Sequence, residues 1–284
     1  MKKWTKRLLI LAAAMAMCML LGTLISAAEN AVDLPLDGKE HLYQRQEEEP
    51  AMVGGNLSTN YVYSSNGWDF YKIRVTGLAQ LTISGRTTNN GSLGIKLCNK
   101  DGYYQNPAGV ASDIRYTNSS KNQYLYYGVK SGYYYLLVRS STSGYYLGAR
   151  EDKKGDHAGT SKGSSANLTH NRTVPGVMPC NESWSSADWY TFYLSKSNKK
   201  IRIYLTTKGL GYIDATIYGP GIPSSGKKLH SYEMNFNDVT TLYMTRNGFG
   251  SYPMRTGRYY IKINRSSANY PRTSCAYWLR WNTY

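Results

Sequence analysis

The chain has 284 residues, a formal net charge of +16 and 28 tyrosines against only four phenylalanines. The length is sufficient for two small domains. No segment after Gly22 has a sustained helical period, which argues against a helical bundle. No DNA- or RNA-binding motif is present, so we expect no nucleic-acid partner despite the basic charge.

The N-terminus has the pattern of a secretory signal peptide, predicted over residues 1–28. A basic region is followed by an apolar run over residues 8–25, and Ser26, Ala27 and Ala28 supply small residues for cleavage. An uncleaved membrane anchor is the alternative, because about 18 apolar residues lie near the lower limit for a span. We expect a secreted protein, extracellular or associated with the cell wall.

Residues 29–55 are predicted to be an acidic flexible leader. They contain seven acidic residues against Lys39 and Arg45, together with Pro35 and Pro50. Such a composition favours a solvated segment over a packed one.

The rest of the chain contains a pattern that occurs twice, about 120 residues apart. Asp69–Val75 matches Asp188–Leu194, and the Gly-x-Tyr-Tyr sequence at Gly132 matches the one at Gly257. This spacing is the length of a small domain rather than of a solenoid repeat. The sequence therefore predicts a first module over residues 56–151, a linker over 152–166 and a second module over 167–284.

Within each module, apolar residues alternate with polar ones. Ile201, Ile203 and Leu205 show this period in the second module, and Tyr71, Ile73 and Val75 show it in the first. Turn residues separate seven or eight such segments per module. The predicted fold class is all-β, with two tandem antiparallel β-sandwiches of jelly-roll type.

The order of these motifs resembles the bacterial pre-peptidase C-terminal domain in two tandem copies. The resemblance lies in the Asp-aromatic-Tyr strand, the Gly-x-Tyr-Tyr turn and strand, and a terminal aromatic strand in each module. It implies a non-catalytic accessory module of the kind that accompanies secreted peptidases. This sequence departs from that pattern because no peptidase domain is attached.

Aromatic and basic residues in predicted loops are the candidate ligand-binding surface. An aromatic ring beside cationic groups can hold an acidic glycan or a protein surface. Loop tyrosines that only cover the ends of a sandwich are the alternative. The candidates are Tyr103, Tyr104, Tyr145, Tyr146, Arg246, Phe249, Tyr252 and Arg255.

Cysteine and acidic residues give two weaker predictions. Cys180 and Cys275 flank the second module and are candidates for a disulfide. Calcium is an alternative role for Asp69 and Asp188, although the acidic residues lack the short D-x-D spacing of a calcium loop. No other cofactor is predicted, and capping of turn amides is the simpler role for the two aspartates.

No catalytic motif of a hydrolase or a nucleotide-binding enzyme is present, so we do not predict an enzyme. A pair of acids for glycoside hydrolysis remains an alternative, because such acids are neighbours in space and not in sequence. From Asn56 onward, 28 Lys and Arg face 11 Asp and Glu. We therefore expect a secreted binding protein whose modules adhere to a cell-wall or extracellular polysaccharide or polyanion. The alternative is an accessory module that assists a separately encoded secreted peptidase or surface assembly.

Overall fold

A computed structural model gives the fold of most of the chain. It describes residues 31–44, 69–88, 91–98, 123–142, 144–155, 157–180, 182–183, 185–196, 201–211, 213–231, 239–244, 255–265 and 273–283. Every regular element within these ranges is a β-strand, and the strands form four sheets. The predicted all-β class with two tandem sandwiches is confirmed.

The first module is a sandwich of two four-stranded sheets. Its strands are β1 (Val32–Asp33), β2 (Asp37–Gln44), β3 (Asp69–Val75), β4 (Ala79–Thr87), β5 (Leu93–Cys98), β6 (Gln123–Val129), β7 (Gly132–Ser140) and β8 (Gly144–Lys153). One sheet has the order β1-β3-β7-β5 and the other has the order β2-β8-β4-β6. Alternate residues of these strands, such as Ile73, Ile83 and Leu136, bury their side chains in one apolar core between the sheets.

The second module repeats this arrangement. Its strands are β9 (Ala166–Asn167), β10 (Val174–Met178), β11 (Ala187–Leu194), β12 (Ile201–Leu210), β13 (Ile213–Tyr218), β14 (Lys227–Ser231), β15 (Val239–Met244), β16 (Gly257–Arg265) and β17 (Ser274–Thr283). The sheets have the orders β14-β13-β16-β11-β9 and β10-β17-β12-β15. Apart from the added edge strand β14, each strand has a counterpart at the same place in the first module.

The predicted acidic leader 29–55 is corrected by the structure, because residues 32–44 are strands of the first module. β1 pairs with β3 and β2 pairs with β8. Leu34 is buried in the core, and its amide donates to the Lys72 carbonyl at 2.8 Å. The acidic residues between these apolar positions face outward, so composition alone concealed two short strands.

The predicted linker 152–166 is partly incorporated into the two sandwiches, at both of its ends and at Gly159. β8 continues to Lys153, Gly159 forms an antiparallel bridge with Trp189, and β9 begins at Ala166. β9 pairs with β11 in parallel, as β1 does with β3. The sandwiches are thus antiparallel except for one short parallel edge pair in each.

The two modules pack directly against each other. The Gly128 carbonyl in β6 accepts hydrogen bonds from the Cys180 amide at 3.0 Å and from the Ser274 hydroxyl at 2.8 Å. A Cβ atom at Gly128 would lie 2.5 Å from the Cys275 carbonyl oxygen. Glycine is therefore required where the second module crosses β6.

Candidate functional site

The three predicted ligand-binding residues that the structure describes, Tyr145, Tyr146 and Arg255, do not share one loop surface. Tyr145 lies in β8, is fully buried and points into the core, which corrects its assignment to an exposed loop. Strand β8 begins at Gly144, so Tyr145 shares the inward face with Leu147 and Ala149. Five of the predicted residues lie outside the described part of the chain: Tyr103, Tyr104, Arg246, Phe249 and Tyr252.

The two remaining predicted residues are far apart in the chain and have different surroundings. Tyr146 lies on the outer face of β8, where the Arg86 guanidinium carbon is 3.6 Å from its ring centroid. Arg86 is also bonded to Glu40 at 3.3 Å. Arg255 is exposed, and its backbone amide and carbonyl both bond to the Tyr259 hydroxyl. Binding by either residue stays a prediction.

Asp69 and Asp188, the aspartates considered for calcium, each belong to a buried tyrosine network. The Tyr145 hydroxyl donates to Asp69 and lies 2.5 Å from the Tyr71 hydroxyl, and the two rings meet edge to face at 88°. Burial, and after it the neighbouring Tyr71 and Asp69, raises the pKa of Tyr145 far above its usual range. Tyr145 therefore stays protonated and keeps donating to Asp69.

The second module contains the same network. Tyr277 donates to Asp188 and lies 2.8 Å from the Tyr190 hydroxyl, with the rings at 89°. Burial raises the pKa of Tyr277 as well. Within the described ranges, no three His, Cys, Asp or Glu residues cluster as metal ligands would. The duplicated aspartates thus anchor the last strand of each sandwich.

The Gly-x-Tyr-Tyr motif has a structural role in both modules. The Tyr134 hydroxyl donates to the Lys130 carbonyl at 2.9 Å, and the Tyr259 hydroxyl donates to the Arg255 carbonyl at 2.8 Å. Gly132 and Gly257 have φ of 153° and 143°, inside the region that favours glycine. The inward direction predicted for these two tyrosines is confirmed by their burial.

Cys180 and Cys275 are buried thiols, and the predicted disulfide between them is not formed in the structure. Their side chains enter different cores, that of Cys180 in the first module and that of Cys275 in the second. Burial raises the pKa of the Cys275 thiol to about 12. Cys275 is therefore protonated and weakly nucleophilic at neutral pH.

The structure brings together a set of cationic and aromatic side chains that the sequence analysis did not single out. It lies on the outer face of the β10-β17-β12-β15 sheet and continues onto β6 of the first module. We call it the cationic track, and it consists of Arg202, Tyr204 and Lys208 of β12, Trp278 and Arg280 of β17, and Tyr126 of β6.

Strand alternation places these side chains outside. Along β12, the even-numbered residues are half-buried, whereas Ile201, Ile203 and Leu205 are buried. Tyr204 pairs in register with Arg280, and Thr206 pairs with Trp278. Arg202 and Lys208 are six residues apart, which corresponds to about 20 Å along a strand. The track is long enough for several units of a polymer.

Cation–aromatic contacts hold the track together. Arg202 Nη1 donates to the Tyr204 hydroxyl at 3.0 Å, and the Arg280 guanidinium carbon lies 4.2 Å from the Tyr204 ring centroid. The hydrogen bond from Arg202 lowers the pKa of Tyr204. Lys208 Nζ lies 3.9 Å from the Tyr126 ring centroid and so connects the two modules.

Several acidic side chains of the described residues are engaged away from the track. Asp69 and Asp188 bind tyrosines, Asp214 pairs with Lys228 on the other sheet, and Glu182 faces Arg265. Asp152 is an exception, because it pairs with Lys154 at 2.5 Å and Lys154 Nζ lies 5.3 Å from the Trp278 ring centroid. Among the described residues, neither Arg280 nor Lys208 forms an ion pair with a carboxylate. The positive charge at these positions is therefore open to an external anion.

A signal for the track was present in the sequence. Lys200 to Thr206 alternates strictly, so the Arg202 and Tyr204 side chains had to lie on the face opposite to the core. The partners Arg280 and Tyr126 could not be found in this way, because strand order and module packing decide which residues become their neighbours.

Comparison with known proteins identifies no family. No protein-family profile and no curated protein matches the sequence. Among solved structures, the chain is similar to the pre-peptidase C-terminal domain of a collagenase from Bacillus anthracis, at 15% identity over 46% of this chain and 100% of that one, with a TM-score of 0.29.

Two other solved structures are similar to this chain at comparably low identity and TM-score. Tripeptidyl peptidase 2 is 9% identical over 88% of this chain and 24% of that chain, with a TM-score of 0.28. The exported protein XepA is 10% identical over 81% of this chain and 88% of that chain, with a TM-score of 0.22. The function of this chain is therefore inferred from its own residues and contacts.

None of the described residues forms a helix that is long and apolar enough to cross a membrane.

Proposed function

We propose that this chain is a secreted, non-enzymatic protein whose two pre-peptidase C-terminal-like modules adhere to an anionic extracellular polymer. The observation that supports the proposal is the cationic track, which places three cations and three aromatic rings along one face. The signal-like N-terminus and the basic balance of both modules point to the same role.

The chemistry of the track suits a chain of phosphate or carboxylate groups. The Arg202 and Arg280 guanidinium groups can each donate two parallel hydrogen bonds to one anionic group. Tyr204, Trp278 and Tyr126 offer rings for the uncharged parts of the polymer. Because each contact is weak at an exposed site, several of them along one chain are needed for useful affinity.

Packing between the modules supports this function. Lys208 from the second module and Tyr126 from the first are in direct contact, and Gln80 Nε2 lies 3.4 Å from the Lys208 carbonyl oxygen. A polymer bound along β12 would therefore reach the surface of the first module without crossing a flexible linker.

The test compares two triple variants with the same change in charge. The track variant carries Arg202→Gln, Lys208→Gln and Arg280→Gln. The control carries Arg258→Gln and Lys262→Gln on β16 of the opposite sheet, together with Lys162→Gln, whose side chain lies over Tyr218 and Tyr260 of that sheet. Binding to polyglycerol phosphate, as found in wall teichoic acid, is measured at 50 and 300 mM salt.

We expect the track variant to bind about tenfold more weakly at low salt, because three surface charge contacts of about 0.5 kcal/mol each are lost. The control should bind within about twofold of the wild type. High salt should reduce wild-type binding and narrow the difference. Equal losses of affinity in both variants would show that the net charge of the protein, and not the track, is responsible for binding.

A further inference from the structure

In the first module, a carboxylate from the last strand binds the turn after β3. Glu151 Oε1 accepts hydrogen bonds from the Thr76 amide at 3.0 Å and the Gly77 amide at 3.1 Å, and the Thr76 hydroxyl lies 3.1 Å from Glu151 Oε2. Two amides and a hydroxyl thus form a niche that fits one carboxylate.

The second module repeats this turn but not the carboxylate. The equivalent tyrosines Tyr145 and Tyr277 pair with Thr87 and Thr207, so Ile201, six residues before Thr207, corresponds to Leu81, six residues before Thr87. Ile201 pairs with Thr283 as Leu81 pairs with Glu151, which makes Thr283 the counterpart of Glu151. Ser195 and Lys196 follow β11 as Thr76 and Gly77 follow β3, with the same bend at the second residue. The hydroxyl and both amides are therefore kept, while the side chain that would fill the niche is short.

A cleft of about 480 Å³ lies at this place in the second module. Its lining includes Tyr193, Ser195, Lys196, His170 and Thr283. His170 Nε2 accepts from the Thr283 amide at 3.0 Å, and its ring meets Trp281 edge to face, so the wall opposite the turn is fixed. Among the described residues, no hydrogen bond reaches the Ser195 or Lys196 amide.

We infer that this cleft binds the carboxylate of a hexuronic acid unit in an acidic glycan. The Ser195 and Lys196 amides and the Ser195 hydroxyl take the positions that hold Glu151 in the first module, and Lys196 adds a positive charge that Gly77 lacks. Tyr193 is 57% exposed at the rim and offers a ring face to a sugar. Thr169 and Asn167 supply polar groups for hydroxyls.

The cleft and the cationic track are separate sites, and only the Arg202 end of the track lies beside the cleft. Arg202 pairs in register with Asn282, the residue before Thr283. An acidic glycan held in the cleft could therefore continue along the track. The inference goes beyond the proposed function, because the cleft would recognise a single acidic sugar and the track a run of charges.

In the test, the full mature chain is titrated with trigalacturonate. Calorimetry and backbone amide NMR monitor the binding. Thr283→Glu supplies the missing carboxylate from within the chain. We expect this variant to bind the trisaccharide at least tenfold more weakly than the wild type, with Thr283→Val within about twofold of it. The methyl-esterified trisaccharide should also bind at least tenfold more weakly.

Lys196→Gln provides a second variant that leaves the strand ends unchanged, and we expect about a fivefold loss. Equal binding by the wild type and by folded Thr283→Glu would overturn the inference, as would equal binding of the methyl ester. A hyaluronan tetrasaccharide serves as a second probe. If the wild type binds neither this tetrasaccharide nor trigalacturonate at millimolar concentration, the inference is overturned too. The track variant should still bind trigalacturonate. The experiments therefore distinguish an error in the proposed polymer-binding track from an error in the proposed binding of an acidic sugar by the cleft.

Discussion

The two modules share their buried polar contacts and differ at their surfaces. Both contain the Asp–Tyr–Tyr network and the tyrosine that bonds four residues back, with nearly the same ring angles. Where the first module has Gly148 and Glu151 on the last strand, the second has Arg280 and Thr283. The shared residues maintain the sandwich, so the differing ones are where function is expected to have diverged.

The largest effect is expected at the contact between the modules, with Gly128→Ala. The added Cβ would lie within 2.8 Å of three backbone atoms of the second module, which cannot move without disturbing β10 or β17. We predict a loss of about 3 kcal/mol in the free energy of unfolding, measured by urea denaturation.

Gly77→Ala is the matched control, since nothing lies within 4 Å of a Cβ atom at that position. It should change stability by less than about 0.5 kcal/mol. Similar stability of the two variants would show that the modules are not packed through β6.

A smaller effect is expected from removing one aspartate at a time. Asp69→Ala leaves the Tyr145 hydroxyl buried without its acceptor, and Asp188→Ala does the same to Tyr277. Each should cost about 1–3 kcal/mol. Asp69 is 2% exposed and Asp188 is half-buried, so the first variant should lose more. Thermal unfolding of both variants measures the difference, and a larger loss for Asp188→Ala would contradict the comparison.

The smallest effect is expected from Glu151→Thr, which gives the first module the residue of the second. It removes the contacts to Thr76 and Gly77 at an exposed turn, so we predict a loss of about 1 kcal/mol. Chemical denaturation measures the loss, and amide exchange at Gly77 should become faster. Unchanged exchange would show that Glu151 does not hold this turn.

Much of the fold could be predicted from alternation and repetition. The period of two along Ile201, Ile203 and Leu205 sets which face of β12 is buried, and the repeated Gly-x-Tyr-Tyr identifies equivalent strands. β1 could not be found, because two residues held by a parallel edge pair leave no periodic signal. Tyr145 was assigned to a loop because it follows the turn residues Ser143 and Gly144, whereas β8 begins at Gly144 and turns the Tyr145 side chain inward.

The candidate sites were less predictable than the fold. The track needs strand order to bring Arg280 beside Tyr204, and module packing to bring Tyr126 beside Lys208. The cleft depends on Thr283 standing where Glu151 stands in the other module, which only the register reveals. Polar side chains on an outer face that are distant in sequence leave no periodic pattern. Their proximity in the fold therefore cannot be predicted from the sequence.

The most direct test of the cationic track is backbone amide NMR of the ¹⁵N-labelled mature chain during titration with polyglycerol phosphate at low salt. We predict that the largest shifts fall on residues of β12 and β17 and on Tyr126 in β6, and that they diminish as salt is added. Shifts centred on the outer face of β11 and β16, or none along β12, would contradict a polymer-binding surface that spans both modules.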